Sequence, residues 1–364
     1  MRFPEFSGEW KEEQLESIAI LSKGIGISKE QLSENGEQCI LYGELYTKYK
    51  SEIIKQVESK TDIDSSKLKR SKANDVIIPC SGETAVDIAT ARCVPFDNIL
   101  LGGDLNIISL HKYDGAFMSY QLNGKRKCDI AKVAQGVSVV HLYGEHLKTI
   151  KTYNPTLPEQ QKIAKLLSLI DERIATQNKI IEKLESLIRG LCLKLVSQGI
   201  PNTALNTCLE CHSSILQERS ITTDGKYPVY GAAGICGYSD TPEASGDSIL
   251  IIKDGASVGA TFYVSGKYSA IGTLNRLTAR PGCSLRYLYY CLKIFDFSQY
   301  KTGQAIPHIY FRDYGIAKIW CPSLAQQEHI AGILTSIDIK IQMERSLLER
   351  LTIQKRFLLQ KMFI

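Results

Sequence analysis

The chain has 364 residues, of which 44 % are hydrophobic and 23 % charged, and a formal net charge of +5. This length suggests two or three domains, and the composition is ordinary for a globular protein. No apolar run approaches the roughly 20 residues of a membrane span, and the N-terminal sequence does not resemble an export signal, so we expect a cytoplasmic protein that contacts no membrane.

The first half of the chain carries two basic clusters, KLKRSK at 67–72 and GKRK at 124–127. The mild net charge permits nucleic-acid binding without requiring it, and each cluster alone is equally compatible with a solvated loop. Short β-rich runs such as DVIIP, SILIIK and TFYVS are separated by Gly, Asn and Asp, and LRYLYYCLKIF at 285–295 has a helical composition. These runs predict mixed α/β domains.

One helix start occurs twice in the sequence. PTLPEQQKIAKLLSLID begins at Pro155, and PSLAQQEHIAGILTSID begins at Pro322. In each, a hydroxyl residue is followed three positions later by Glu or Gln, at 156–159 and 323–326, which is the capping-box pattern of a helix N-terminus. We therefore predict two helices that begin at equivalent positions.

The similarity between the two halves continues upstream of these helices. QGVSVVHLY at 135–143 matches TGQAIPHIY at 302–310, with Gly, His and Tyr recurring at the same places. Farther upstream, NDVIIPCSG resembles GDSILIIKDG, and GGDLNIISL resembles IGTLNRLTA. The sequence predicts two copies of one unit, each a globular part followed by a helix. We interpret His141 and His308 as holding a strand–loop junction together rather than contacting a ligand.

The predicted helices share a narrow apolar seam. Apolar residues recur at alternating steps of four and three, which is typical of a coiled coil, and polar Gln177 and Glu344 interrupt both seams at one place. About 33 residues at 1.5 Å each give a rod of roughly 50 Å. A globular part separates the helices along the chain, so we expect antiparallel pairing; the alternative is that each helix packs only on its own domain. The predicted interface comprises Ile163, Leu167, Ile170, Ile174, Ile181, Leu184, Ile188 and Leu191 with Ile330, Leu334, Ile337, Ile341, Leu348, Leu351 and Leu358.

The eleven cysteines show no disulfide framework, and we interpret them as reduced thiols. CLECH at 208–212 has the C-x-x-C-H spacing of haem attachment, and Cys208, Cys211 and His212 could supply three of four zinc ligands. Haem attachment normally follows export, and no clear fourth zinc ligand is present. We therefore assign no metal and no other cofactor.

Enzymatic motifs are absent from the sequence. It contains no G-x-x-x-x-G-K-[ST] loop, no G-x-S-x-G elbow and no H-E-x-x-H pair. We interpret the chain as a binding protein without catalytic activity. Two alternatives stay open: a coiled-coil adaptor with two protein-binding heads and no DNA affinity, and a metal-dependent nuclease.

Several segments together resemble one protein family. RFPEFSGEW at 2–10, YPVYGAAGICGY at 227–238, TGQAIPHI at 302–309 and the two P-x-L-x-x-Q helix starts are similar to recurrent segments of the specificity (S) subunit of type I restriction-modification enzymes. The resemblance implies an α/β (mixed α+β) fold, with two globular target recognition domains separated by a pair of long antiparallel coiled-coil helices and a pseudo-twofold internal repeat. The implied boundaries are 1–153 and 200–320 for the recognition domains, and 154–199 and 321–364 for the spacer helices.

The resemblance also implies a function. Each recognition domain would read one half of a bipartite target in double-stranded DNA, and the helices would dock two methyltransferase subunits; whether restriction subunits join the complex is left open. A pseudo-twofold protein places two readers about one helical turn apart, near 34–36 Å.

Residue types suggest where DNA would be contacted. Arg, Lys, Asn and Gln usually read base edges, while basic, hydroxyl and amide groups hold phosphates. The second copy lacks the GEW opening and the first lacks the tyrosine–glycine stretch, so the first reading loop is not located. We expect DNA contacts from Lys67, Lys69, Arg70, Lys72, Lys125, Arg126, Lys127, Gln135 and Ser138 in the first domain, and from Lys226, Tyr227, Tyr230, Lys253, Arg276, Thr302 and Gln304 in the second.

Overall fold

The structure is a computed structural model that describes residues 2–136, 139–214, 216 and 221–363. It divides into two compact units, the first comprising Met1–Asn178 with Leu347–Ile364 and the second comprising Lys179–Ser346. Each unit therefore contains a globular part and one segment of each of two long helices. Within the described ranges, no helix has both the length and the apolar character that crossing a bilayer requires.

The first unit contains short strands and helices followed by one long helix. Its strands are β1 (Lys11–Gln14), β2 (Ala19–Lys23), β3 (Leu32–Ser33), β4 (Glu37–Ile40), β5 (Lys60–Thr61), β6 (Lys69–Arg70), β7 (Asp75–Pro79), β8 (Ser81–Gly82), β9 (Arg92–Val94), β10 (Leu100–Leu101), β11 (Leu105–Leu110), β12 (Val140–His141) and β13 (Lys151–Asn154). Its helices are α1 (Leu15–Ile18), α2 (Glu44–Thr47), α3 (Ala85–Ile88), α4 (Gly115–Asn123), α5 (Lys127–Val133), α6 (Gly144–Lys148) and the start of α7 (Leu157–Val196).

Two larger sheets and the two-stranded pairs β1-β13 and β8-β12 form the globular part of the first unit. An antiparallel sheet has the order β2-β11-β7-β9, and a mixed sheet has the order β3-β5-β4-β10-β6. Every residue of β7 is buried, because this apolar strand pairs on both edges and the sheet is covered on both faces. The core beside it includes Val76, Ile78 and Met118 on one side and Ile77 and Ile107 on the other.

The second unit repeats this plan. Its strands are β14 (Thr203–Ala204), β15 (Leu209–Ser213), β16 (Tyr227–Gly231), β17 (Gly234–Ser239), β18 (Ala244–Ser245), β19 (Ser248–Ile252), β20 (Thr261–Val264), β21 (Lys267–Ala270), β22 (Leu274–Ala279) and β23 (Lys318–Ile319). Its helices are α8 (Leu205–Cys208), α9 (Leu285–Ile294), α10 (Phe311–Tyr314) and most of α11 (Leu324–Lys361).

The sheet topologies confirm the internal repeat. The order β15-β22-β19-β20 in the second unit reproduces β2-β11-β7-β9 in the first, and the pair β14-β23 reproduces β1-β13. The similar sequence segments coincide with equivalent strands: NDVIIPCSG contains β7 where GDSILIIKDG contains β19, and GGDLNIISL leads into β11 where IGTLNRLTA contains β22. The copies diverge elsewhere, since the second has a sheet of order β17-β16-β21-β18 that includes one parallel pair.

The two long helices run antiparallel within each unit. In the first unit, Ile163 and Leu167 near the start of α7 share a core cluster with Leu358 and Met362 near the end of α11. In the second unit, the end of α7 (188–196) shares a cluster with the start of α11 (330–341). Antiparallel pairing is therefore confirmed, and the alternative that each helix packs only on its own domain is wrong.

The predicted seam positions are all buried or half-buried, from Ile163 to Leu191 on α7 and from Ile330 to Leu358 on α11. The polar interruptions Gln177 and Glu344 are buried as well, with 6 % and 9 % of their surface exposed. Both helices begin one residue after the predicted caps. The first capping box differs from the prediction, because the Glu159 carboxylate accepts two hydrogen bonds of 2.7 Å from the Arg2 guanidinium.

Two pairs of identical residues tie each globular part to its helix. Gln160 and Gln327 are each 1 % exposed, and each side-chain oxygen accepts a 2.9 Å hydrogen bond from the backbone N–H at the N-cap of the neighbouring helix, α4 or α9. Asp171 accepts a hydrogen bond of 2.7 Å from Tyr120, and Asp338 accepts one of 2.8 Å from Tyr290. The repeated P-x-L-x-x-Q start thus has a docking role in both copies.

Candidate nucleic-acid interface

A loop closed by backbone hydrogen bonds recurs in both units. In the first, the Gln135 N–H donates to His141 at 2.9 Å and the His141 N–H donates back at 2.7 Å; in the second, Thr302 and His308 make the same exchange at 2.9 and 2.8 Å. The second residue of each loop is glycine with positive φ, +120° at Gly136 and +88° at Gly303. A side chain at these positions would be strained and would collide with a carbonyl oxygen across the loop. The histidine backbones thus lie at a strand–loop junction, in agreement with our interpretation.

Each loop displays an exposed tyrosine beside a basic side chain. Tyr143 and Tyr310 are 45 % and 44 % exposed. The Lys23 ammonium lies 5.8 Å from the ring centre of Tyr143, and the Arg312 guanidinium lies 4.8 Å from that of Tyr310. An exposed aromatic face with an adjacent cation suits contact with a sugar–phosphate backbone. The sequence-based prediction did not include these residues, although the Tyr143/Tyr310 match was a signal for them.

In the second unit, three predicted residues converge on this loop. Thr302 and Gln304 are exposed loop residues, and the Lys253 carbonyl accepts a 2.9 Å hydrogen bond from the Ile309 N–H. Asp254, which follows Lys253, forms a β-bridge with His308. The structure therefore brings Lys253, Thr302 and Gln304 to one edge of the unit.

The equivalent loop of the first unit borders a cavity of about 650 Å³. Cys80 is the first-unit equivalent of Lys253. The Cys80 carbonyl accepts a 2.8 Å hydrogen bond from the Leu142 N–H, as the Lys253 carbonyl does from the Ile309 N–H. Tyr42, Tyr46, Ser81 and Val139 line the cavity along with acidic Glu83 and Asp87. This loop is a candidate for the first-domain reading element that the sequence did not locate. Gln135 lies at its base, while Ser138 lies outside the described residues.

The KLKRSK cluster lies at the edge strand β6 of the mixed sheet. Arg70 makes an ion pair with Glu37 of β4 at 2.6 Å, and this guanidinium, together with the Ser65 hydroxyl, lowers the pKa of Glu37 to about 2. Arg70 therefore has a structural partner within the protein. Lys67 and Lys72 are exposed and Lys69 is half-buried, and none of these three lysines forms an ion pair with a described residue.

The GKRK cluster lies at the helix side of the first unit. A side chain at Gly124 would approach the Leu359 carbonyl of α11, so this backbone lies against the long helix. Arg126 pairs with Asp129 at 3.2 Å and lies 5.1 Å from the Tyr153 ring centre. Burial lowers the pKa of Lys127, and Arg92 lowers it further. In this cluster Lys125 is exposed, whereas Gly124, Arg126 and Lys127 are half-buried. No contact among the described residues joins the GKRK cluster to the KLKRSK cluster.

The tyrosine–glycine stretch forms the β16–β17 hairpin of the second unit. Tyr227 is half-buried, with the ammonium groups of Lys226 and Lys267 at 5.5 and 6.0 Å from its ring centre. Tyr230 instead packs edge-to-face on buried Tyr268 at 5.8 Å. The hairpin therefore offers Lys226 and Tyr227 to a ligand, whereas Tyr230 contributes to packing.

Arg276 lines a separate cavity of about 320 Å³ in the second unit. It lies on β22 opposite His212 of β15, and the cavity is also lined by Ser214, Glu243 and Tyr268. Burial lowers the pKa of His212, and the Arg276 charge lowers it further. The His212 ring is 3.0 Å from the Thr278 hydroxyl, so this histidine has a local hydrogen-bond partner.

Comparison with known proteins gives a family match over most of the chain. The family model described as "Type I restriction modification DNA specificity domain" matches residues 7–186 and 209–352. The specificity subunit of the type I restriction enzyme EcoprrI from Escherichia coli is 28 % identical over 112 residues, which are 31 % of this chain and 28 % of that protein. The MjaVIII specificity subunit from Methanocaldococcus jannaschii is 29 % identical over 128 residues, which are 35 % of this chain and 29 % of that protein. The aligned segments thus span less than a third of either curated relative.

Solved structures share the fold. The crystal structure of a type I restriction-modification S subunit from M. genitalium has a TM-score of 0.72 at 20 % identity, covering 100 % of this chain and 99 % of that one. A chain from a study of complex assembly and conformational transition of the type I R-M system has a TM-score of 0.57 at 15 % identity, covering 98 % and 97 %.

Proposed function

Because the chain belongs to the type I restriction modification DNA specificity domain family, we propose that it is the DNA sequence-specificity subunit of a type I restriction-modification system. Each globular part reads one half of a bipartite double-stranded target. The recognition domains are residues 1–153 and 200–320, and the spacers are residues 154–199 and 321–364. The protein acts in the cytoplasm, where it meets chromosomal and incoming DNA.

The observation that carries this proposal is the repetition of one loop within two otherwise divergent copies. Both units hold a glycine-containing loop at the same place, and both loops present a tyrosine with a basic neighbour. The flanking elements differ, since the second unit adds the β16–β17 hairpin and the first adds the mixed sheet. A common phosphate anchor beside different reading elements is what recognition of two different half-sites requires.

The proposed contacts divide into two kinds. Lys67, Lys69, Lys72 and Lys125 in the first domain suit phosphate contact, since Lys69 is half-buried and the other three are exposed. In the second domain the phosphate contacts come from Lys226 and Lys253, while Gln304 and Arg276 carry the donor groups that read base edges. Gln135 contacts DNA through the first loop, as Thr302 does through the second. Arg70, Arg126 and Tyr230, which have partners within the protein, act by positioning their neighbours, as does the half-buried Lys127.

The helices provide the docking surface for methyltransferase subunits. Each helix has a second set of apolar residues that lie outside the seam and are between 37 % and 62 % exposed: Leu169, Ile180, Leu187 and Leu193 on α7, and Ile339, Met343, Ile353 and Phe357 on α11. Exposed apolar residues of this extent on long helices are typical of protein interfaces. Two copies of the helix motif fit two methyltransferase subunits; whether restriction subunits join the complex is left open.

Methylation mapping tests this function. Cells that carry this chain with its methyltransferase subunits should methylate a split motif, with two specified parts separated by a gap of fixed length. Replacing residues 200–320 with the corresponding domain of another specificity subunit should change one part of the motif and leave the other intact. A motif that does not depend on this chain, or that changes in both parts, would refute the proposal.

A second experiment separates this function from its rivals. The purified chain should bind DNA with an affinity that falls steeply between low and moderate salt, because bound counterions are released from the phosphates. A protein-binding adaptor would not bind DNA at any salt concentration. With S-adenosylmethionine and divalent cations but no partner subunits, the chain should neither methylate nor cleave DNA; either activity would show that it is an enzyme.

A further inference from the structure

Three cysteines from distant parts of the sequence meet in the second unit. The Sγ atoms of Cys208, Cys283 and Cys321 lie within 4.8 Å of one another, and those of Cys208 and Cys321 are 3.9 Å apart. Cys208 ends α8, Cys283 precedes the N-cap residue of α9, and Cys321 precedes the Pro322 that leads into α11. The chain thus brings three soft ligands together at the point where the globular part joins the helix.

This group differs from the one that the sequence suggested. Cys208, Cys211 and His212 have the spacing of a ligand set, but in the part of the chain that the structure describes, Cys208 is grouped with Cys283 and Cys321 instead. Cys211 and His212 lie on β15, where Cys211 packs against the core and His212 contacts Thr278.

The surroundings of the three thiols suit a buried site with one open side. Cys208 is fully buried, whereas Cys283 and Cys321 are half-buried and can be reached from solvent. The Gln327 amide, itself 1 % exposed, donates to the Cys321 sulfur at 3.3 Å. A donor of this kind outside the ligand set favours the thiolate form that binds metal.

The first unit shows what the thiols replace. Its equivalents of Cys283 and Cys321, judged from their positions before the N-cap of α4 and before Pro155, are Tyr113 and Asn154. Both donate to one oxygen of Glu13, at 2.7 and 3.1 Å. A carboxylate therefore connects these segments in the first copy. In the second copy the same place holds thiols, which are weak hydrogen-bond partners for one another but good ligands for one shared cation.

We propose that Cys208, Cys283 and Cys321 bind one thiophilic divalent cation of the zinc class, with a water molecule or a small thiol as the fourth ligand. Zinc–sulfur bonds of about 2.3 Å in tetrahedral geometry place sulfurs about 3.8 Å apart, so the observed separations require little movement. The bound ion ties α8, the start of α9 and the start of α11 together and takes the structural role that Glu13 has in the first unit. This replaces our sequence-based expectation of no metal.

Cadmium binding by the intact chain provides the test, because each cadmium–thiolate bond adds ultraviolet charge-transfer absorption. Under a thiol-free reductant, titration with Cd²⁺ alone should give absorption that saturates at one equivalent per chain, and Zn²⁺ should remove it by competition. Cys283→Ser should weaken binding on the order of 100-fold or more, since a ligand loss exceeds the 10- to 100-fold effect of an outer-shell change. The matched control is Cys236→Ser, which alters an exposed cysteine of the same unit and should bind as the native chain does.

A second variant guards against loss of folding. Cys321→Asn introduces the residue that the first unit has at the equivalent position, so it should fold, with an unchanged circular dichroism spectrum, and yet lose Cd²⁺ binding. Zn²⁺ should raise the thermal midpoint of the native chain and of Cys236→Ser, but not that of Cys321→Asn. Absence of the absorption in the native chain, equal binding by native chain and Cys321→Asn, or loss of binding in Cys236→Ser alone would each overturn the proposal.

Discussion

Individual residues that are identical in the two copies have identifiable structural roles. Gln160 and Gln327 satisfy the first backbone N–H of a neighbouring helix, and each amide also donates to a proline carbonyl at 2.8 Å, Pro155 or Pro322. A buried amide with partners on both sides would leave those groups unsatisfied if it were shortened. Sequence identity at Gln160 and Gln327 therefore marks the junction between each globular part and its helix.

The positive-φ glycine of the second loop allows a direct test at residue scale. Gly303→Ala should disrupt the loop, because alanine is strained at φ +88° and its methyl group would collide with the Ile306 carbonyl oxygen. We expect a loss of roughly 1–2 kcal/mol locally and weaker DNA binding in an equilibrium titration. Gly190→Ala on α7, where nothing lies within 4 Å, should keep full affinity and gain up to about 1 kcal/mol of helix stability. Equal behaviour of the two variants would contradict this role.

The Glu37–Arg70 pair predicts a pH dependence. The folded-state pKa of Glu37 is about 2, below its ordinary value of 4.5. The pair therefore stabilises the folded protein fully above about pH 4.5, and this contribution is lost as the pH falls towards 2. The thermal midpoint of Glu37→Gln should lie below that of the native chain at pH 5–7, and the difference should shrink between pH 4.5 and 2. A difference that stays constant down to pH 2 would count against the pair.

Lys355 of α11 forms ion pairs with two buried carboxylates. Its ammonium is 2.5 Å from Glu52 and 2.6 Å from Asp171, and all three side chains are at most 15 % exposed. Although burial lowers the pKa of Lys355, the two carboxylates raise it overall. Lys355→Met should cost about 3–5 kcal/mol in urea unfolding, because it leaves two buried carboxylates without a cation. Arg356→Met, at the adjacent exposed position, should unfold almost as the native chain does.

At the scale of elements, the long helices combine a seam with a second apolar set. The seam repeats every 3.5 residues on average, which matches packing against one partner helix. Lys355 of α11 contacts a further element, since Glu52 comes from the segment after α2. The capping pattern in the sequence predicted where the helices begin. The contact between Lys355 and Glu52, by contrast, is known only from the structure.

A substitution in the seam should act on the helix pair as a whole. Leu351, which is 7 % exposed, lies in the seam of α11. Leu351→Asp should lower unfolding stability by roughly 2–4 kcal/mol, because it buries an unpaired charge, and should weaken methyltransferase binding. Ile353→Asp lies two residues farther on and is 54 % exposed, so it should leave the thermal midpoint almost unchanged. Circular dichroism melts compare the two variants, and similar losses would show that the seam is misassigned. The Leu184 position on α7 offers the same test.

At the scale of the whole molecule, the distribution of basic residues should determine how DNA affinity depends on salt. Replacing Lys67, Lys69 and Lys72 together with alanine should reduce the slope of log Kd against log salt by about 3, and should weaken binding to all sequences equally. Fluorescence anisotropy at several salt concentrations measures the slope. Lys179→Ala on the exposed side of α7 should leave it unchanged. If the triple variant lost sequence preference instead, these lysines would be reading bases.

Sequence periodicity was sufficient for the repeat, the helix starts and the antiparallel seam, because these features depend on residues close together in the chain or at one constant offset. It could not reveal that Arg70 pairs with Glu37, 33 positions earlier, or that Cys208 lies beside Cys283 and Cys321. Such contacts depend on sheet order and on loop paths, which local patterns do not specify. For the same reason, the residue types chosen for DNA contact included several with partners inside the protein, among them Arg126 and Tyr230.

The first unit is formed from two stretches of the chain that the whole second unit separates, and this affects its folding during translation. Its core around Ile163 and Leu167 includes Leu358, Met362 and Phe363, so residues 1–178 leave the ribosome before the segment that completes their core has been made. During translation of the whole second unit, this apolar surface stays uncovered and open to chaperones or aggregation. If translation ended before Leu347, the first unit would lack the segment of α11 that completes its core.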